Sequence, residues 1–264
     1  MPQEYKEIIH SVNHCKIVPH GSGERGDVLV LNGWDDFNKS IWESGLTYVL
    51  RTSKRDFFDR YAELKRVYGQ ISRLNIVMTD VDSFVAEDFE KYKVCLSVLA
   101  KELEKVYVEG LSFQLNLLTD RMMLSSMNNC NAGWEHITLA PDGNFYICPA
   151  FYLSDSEIEI ENKATSIGDL CNGLRILNSQ LYRLGNAPVC RNCDAFHCKR
   201  CVWLNRKTTL EVNTPGHEQC VVAHLERNAS RDLLSDIRKH GIFITDNEIT
   251  AIEYLDPFDA RTKW

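Results

Sequence analysis

Four cysteines stand between positions 190 and 201, in the order Cys190-x2-Cys193-x4-Cys198-x2-Cys201. A stretch with that spacing has too few apolar side chains to pack as an ordinary helix or strand, so its fold depends on what its sulfurs bind. The N-terminus, MPQEYKEIIH, has neither the basic start nor the apolar run of a secretory signal. The expected compartment is therefore the cytoplasm, where thiols stay reduced and clustered cysteines point to metal or redox chemistry. A C-x-x-C turn aims two thiolates at one centre, and two such pairs could share one zinc ion. Zinc ribbons, however, separate their pairs by about 15–20 residues so that two hairpins can face each other. Only four residues intervene here, which is closer to the cysteine runs that wrap iron–sulfur clusters.

Three more cysteines flank this run. Cys130 is followed by twelve residues, Gly143, four residues and Cys148, and Cys220 follows Cys201 after eighteen. The remaining three are isolated. Cys95 falls on the apolar face of a helical pattern and is expected as a buried structural thiol. Cys15 and Cys171 are expected to be structural or incidental.

The part before residue 127 alternates apolar runs with amphipathic stretches. Strands are expected at 27–31, 46–50, 74–78 and 113–118, rich in Val, Ile and Leu as buried parallel strands are. Helices are expected at about 54–72 and 85–108; in the second, Phe89, Tyr92, Leu96, Leu99, Leu103 and Val106 share one face. This alternation predicts a parallel sheet of βαβ units, about half of an eight-fold barrel. The fold class expected is α/β: a partial (βα) barrel-like parallel sheet over 1–127, a small cysteine-rich domain over 128–240, and a tail over 241–264. Within the second domain, Pro141-Asp142-Gly143-Asn144 marks a β-hairpin. Residues 154–166 are expected to form a polar loop and about 217–239 a C-terminal helix, with Val221, Leu225, Leu233 and Ile237 on one face. The net charge of −7 argues against nucleic acid as a partner. The absence of an 18-residue apolar run argues against a membrane span.

The order C-x12-G-x4-C, a tight four-cysteine run and a final cysteine resembles the SPASM domain, the auxiliary-cluster module of many radical SAM peptide-modifying enzymes. Its usual run is C-x2-C-x5-C-x3-C, and here each of the last two gaps is one residue shorter. More of the chain is similar to the CXXX-repeat peptide maturases, through NLLTDRMMLSSMNNC, ITLAPDGNFYICPAF, CRNCDAFHCKRC, LNRKTTLEVNTPGHEQC and HLERNASR. The resemblance implies two 4Fe–4S clusters. Cys190, Cys193, Cys198 and Cys220 would hold one; Cys130, Cys148 and Cys201 would hold the other, leaving an open iron or a non-cysteine ligand. Zinc is the alternative metal. The implied function is maturation of a ribosomally synthesised cysteine-repeat peptide, with the precursor peptide and other modification-system proteins as partners.

No three cysteines have the C-x3-C-x2-C spacing that the SAM-binding cluster requires. S-adenosylmethionine is thus expected only if a catalytic region is supplied elsewhere, and the chain is either a piece of such an enzyme or a degenerate relative. The stretch Gly21-Ser22-Gly23-Glu24-Arg25-Gly26 precedes a strand rather than a helix and carries little weight as a SAM-binding loop. The alternative function is a non-catalytic peptide-binding module with a structural metal. His136 and His197 neighbour cluster cysteines as ligands, tuning groups or polar neighbours. Lys199, Arg200, Arg206 and Lys207 either offset cluster charge, attract an acidic leader peptide or form a solvated face. Trp34, Trp134 and Trp203 are expected in the core or shielding a cluster. Asp80 and Asp82 follow a strand, where they mark either a site or a helix cap.

Overall fold

The computed structural model describes residues 3–154, 166–252, 255, 256 and 258. In chain order the regular elements are α1 (Gln3–His10), β1 (Ile17–Pro19), β2 (Val28–Asn32), α2 (Trp34–Lys39), β3 (Thr47–Thr52), α3 (Lys54–Arg60), β4 (Arg73–Met78), α4 (Ala86–Val108), β5 (Gln114–Leu115) and α5 (Thr119–Met123). There follow β6 (Thr138–Leu139), β7 (Phe145–Tyr146), α6 (Pro149–Ser154), β8 (Gly168–Asp169), β9 (Gly173–Leu174), α7 (Val202–Thr209) and α8 (His217–Lys239). The polar loop expected at 154–166 lies, from 155 to 165, outside the described residues. They form two units: one of residues 15–127, 195–197 and 217 onward, the other of residues up to 14, 128–194 and 198–216.

The first unit is built on a five-stranded parallel sheet, in the order β1-β2-β3-β4-β5. Tyr48 and Leu50 of β3 and Leu74 and Ile76 of β4 share one core with Tyr92, Leu96, Leu99 and Leu103 of α4 and with Leu225, Leu233 and Ile237 of α8. Along β3 buried residues alternate with half-buried ones, so one face of the strand is covered better than the other. The continuous apolar runs predict strands buried on both faces. The terminal helix forms over the expected residues, but its apolar face joins the core of the sheet unit.

Two strands depart from expectation for local reasons. β1 is an added edge strand of three residues ending in Pro19, a position where a missing N–H costs no ladder bond. Its return to β2 needs Gly26, where a Cβ would stand 2.7 Å from Cγ2 of Val18. β5 keeps only Gln114 and Leu115 in the ladder. At the next position the Asn116 side chain takes over the pairing with β4: Oδ1 accepts from the Ile76 N–H at 2.7 Å and Nδ2 donates to the Ile76 carbonyl at 3.0 Å. The helical pattern at 54–72 divides into α3 and a 3-10 segment, Tyr61–Val67, followed by Gly69 in the left-handed region.

The charged groups of this unit cap and tie its helices. Asp80 accepts from the Lys54 N–H at the start of α3 at 2.8 Å, so it serves as a cap. Asp88 accepts from the Val85 N–H at 3.1 Å and from Lys54 Nζ at 2.7 Å. Burial works against its ionised form, but these bonds and the Lys54 and Lys91 charges outweigh it and lower the carboxyl pKa. Trp34 is buried, with its indole N–H donating to the Thr52 hydroxyl at 2.9 Å.

Candidate metal centre

The second unit is poor in apolar core. It has two small antiparallel hairpins, β6–β7 and β8–β9, the first turning at Asp142 and Gly143 as expected. Its apolar cluster centres on Ala132, Ile147 and Val202, with Cys130, Cys148, Phe151 and Tyr182 packed against it. Cysteines thus line the little core that this unit has.

Cys130, Cys148 and Cys201 are electrostatic neighbours. Burial pushes the Cys148 thiol up to about 12, and negative charge on Cys201 and Cys130 adds to the rise. Burial raises Cys201 as well, again with Cys130 adding. Backbone N–H groups oppose this: those of Ala150 and Phe151 at the start of α6 bond to Cys148, and those of Leu204 and Trp203 at the start of α7 to Cys201. Such N–H groups favour a thiolate over a thiol. Cys190 and Cys193 form a second neighbourhood, in which burial and then Cys193 raise the Cys190 thiol to about 11. Among the described residues no three His, Cys, Asp or Glu side chains are grouped as a site for one metal ion. Thiolates on one zinc lie about 4 Å apart, from Zn–S bonds of about 2.3 Å. A four-iron cluster spreads its thiolates more widely, because the irons stand between them.

Arg200 lies among these cysteines. It is fully buried. Its Nε donates to Asn129 Oδ1 at 2.8 Å and its Nη2 donates to the Tyr182 carbonyl. Its Nη1 is buried and has no hydrogen-bond partner among the described residues. Burial lowers its pKa, and the thiols of Cys190, Cys130 and Cys198 act in the opposite direction. None of the ion pairs among the described residues joins it to a carboxylate. A buried cation without a counter-charge costs several kcal/mol. An anionic, thiolate-bound group would supply both the charge and an acceptor for Nη1, so the residues present fit one.

The backbone here is strained. Lys199 and Arg200 are consecutive left-handed residues, with φ of +59° and +49°, a conformation costing about 1–2 kcal/mol per non-glycine residue. They close the turn between Cys198 and Cys201, and the Lys199 carbonyl accepts from the Cys130 N–H at 2.8 Å. The turn thereby ties the four-cysteine run to Cys130. Gly133 helps to seat Tyr182: a Cβ there would stand 2.7 Å from the tyrosine ring. Lys199→Gly should relieve the left-handed strain, leaving stability unchanged or raised by up to about 1 kcal/mol, whereas Lys199→Val should lower it. Thermal denaturation of the two variants compares them directly.

The other residues singled out by sequence separate. Cys220 lies in the first turn of α8, in the sheet unit, and is buried. Cys95 is buried on α4, where desolvation raises its thiol to about 11. Cys15 and Cys171 are exposed. His136 is exposed, and His197 belongs to the sheet unit, where Nε2 bonds Glu226 Oε2 at 3.0 Å. Trp134 is 43% exposed, with the Arg183 guanidinium 4.7 Å above its ring, and is not a core residue. Of the four basic residues, only Arg200 is fully buried; Lys199, Arg206 and Lys207 are partly exposed. Asn129 and Tyr182, which hold Arg200, carry no local sequence signal; the one hint nearby is the charged pair enclosed by the turn Cys198-Lys199-Arg200-Cys201.

No helix among the described residues is long and apolar enough to cross a membrane. No protein-family model matches the chain, and no curated protein matches it significantly.

Proposed function

We propose that this chain acts in the maturation of a ribosomally synthesised, cysteine-containing peptide, and that its cysteine-rich unit is a SPASM-like carrier of two 4Fe–4S clusters. The observation that carries the cluster reading is Arg200: a buried cation among Cys130, Cys190 and Cys198, with a donor to spare and no ion pair to a carboxylate among the described residues. The N–H groups directed at Cys148 and Cys201 support it as well, since they favour bound thiolates. The strand order β1 to β5, each strand joining the edge left by the one before, is how a (βα) barrel grows and supports a barrel-like arc. When bound, such clusters transfer electrons or offer an iron to a substrate thiolate. The chain's own share is to supply thiolates, exclude water around them and balance their charge. Cys130, Cys148 and Cys201 would serve one cluster, with Cys190, Cys193 and Cys198 of the same unit serving the other. Cleavage of S-adenosylmethionine needs a C-x3-C-x2-C segment that this sequence does not contain.

The test is the content of iron, zinc and acid-labile sulfide after anaerobic purification, in the wild type and in Cys198→Ala. About eight irons and eight sulfides per chain are expected, falling towards four in the variant. Stoichiometric zinc without sulfide would replace this reading with that of a peptide-binding module folded around a structural metal.

A further inference from the structure

Arg200 faces both cysteine neighbourhoods. It stands in the turn between Cys198 and Cys201, one from each proposed ligand set, and the adjoining Lys199 carbonyl accepts from the Cys130 N–H at 2.8 Å. The side chain is held by Asn129 Oδ1 and the Tyr182 carbonyl, neither of which carries charge. Its full positive charge therefore remains available to its surroundings, and no water reaches it to screen that charge. We propose that Arg200 is the shared counter-charge of both metal clusters and sets the reduction potential of each. The inference rests on the iron–sulfur reading above. One electron from a chemical reductant adds one negative charge to a cluster, and a buried cation nearby stabilises that reduced state. Removing the charge makes both clusters harder to reduce. Lys199 precedes Arg200 in the same turn with the same formal charge but is partly exposed, so water screens it.

The experiment is an anaerobic dithionite titration of the reconstituted full chain, followed by electron paramagnetic resonance, with iron and sulfide counted in every sample. Arg200→Met removes the charge. Asn129→Asp leaves the side-chain shape unchanged and neutralises Arg200 by placing a carboxylate oxygen against its Nε. Each is expected to lower both couples by tenfold or more in the reduction equilibrium, about 59 mV for one electron, at wild-type iron content. Arg200→Lys and Lys199→Met are expected to stay within about threefold of wild type. If Arg200→Met fails to take up iron, Asn129→Asp carries the test. Couples that stay put in iron-replete Asn129→Asp, or a shift in one couple alone, would overturn the shared role and leave the clusters standing. Equal iron loss in Arg200→Lys and Arg200→Met would make Arg200 a packing residue and overturn it too. Zinc without sulfide in the wild type would remove the iron–sulfur reading itself.

Discussion

If the cysteine-rich unit holds metal as proposed, stripping it should unfold residues 128–194 and 198–216 while the parallel sheet persists. The two units differ sharply in what holds them. The sheet unit has a continuous core running from Leu31 through α4 to Ile237 of α8. The cysteine-rich unit has Ala132, Ile147 and Val202 with a few partly buried neighbours, and its hairpins have two-residue strands. At about 25 cal/mol per Å2, so little apolar area cannot offset the entropy of ordering such a segment. It also carries strain at Lys199 and Arg200 and a buried cation. Structural zinc contributes about 10–16 kcal/mol to comparable small domains, and bound thiolates here would play the same part. Hydrogen exchange of the metal-free chain should show amide protection lost at Cys130, Cys193 and Asn205 and retained in β3, β4 and α4. Protection in both units after complete metal removal would mean that the cysteine-rich unit folds on its own packing.

Glu226→Ala should cost the sheet unit roughly 2–6 kcal/mol, about 1–3 for each of two buried hydrogen-bonding partners left unsatisfied. Glu226 lies on α8 and is buried; its Oε1 accepts from the Tyr92 hydroxyl at 2.5 Å and its Oε2 bonds His197 Nε2 at 3.0 Å. Tyr92 is fully buried and the His197 side chain is 2% exposed. Alanine at 226 would strand both, and neither can turn to water. Burial, reinforced by the Glu226 charge and its hydrogen bond, holds the Tyr92 hydroxyl pKa well above its usual value, so the phenol remains the donor. Glu226→Gln keeps an oxygen for that hydroxyl and should cost about 1–2 kcal/mol. Urea unfolding monitored on the sheet unit ranks the variants. Equal midpoints for Glu226→Ala and wild type would show that the three groups do not support one another.

Much of the sheet unit is legible in local pattern. β3, β4 and α4 form within a residue or two of the segments expected, since their apolar spacing and the acidic first turn of α4 are local signals. β1 escapes that reading because three residues ending in proline carry no period. β5 is shorter than its apolar run because the Asn116 amide replaces a peptide group, an exchange visible only when β4 is alongside. The tight spacing of Cys190, Cys193, Cys198 and Cys201 and the turn at Gly143 likewise come from local sequence.

Spacing, turn chemistry and hydrophobic period act over a few residues, so local sequence places the strands and helices and sets the cysteines at ligand-like intervals. Which basic residue is buried depends on contacts far apart in the chain. Lys199, Arg200, Arg206 and Lys207 look alike in sequence, yet only Arg200 is enclosed, by Asn129 and Tyr182 from distant parts of the chain. Tertiary structure also decided that His197, a neighbour of Cys198 in sequence, spends its Nε2 on Glu226, and that α8 joins the core of the sheet. Burial and the strength of a charge depend on everything packed around a side chain, and no short window of sequence contains that.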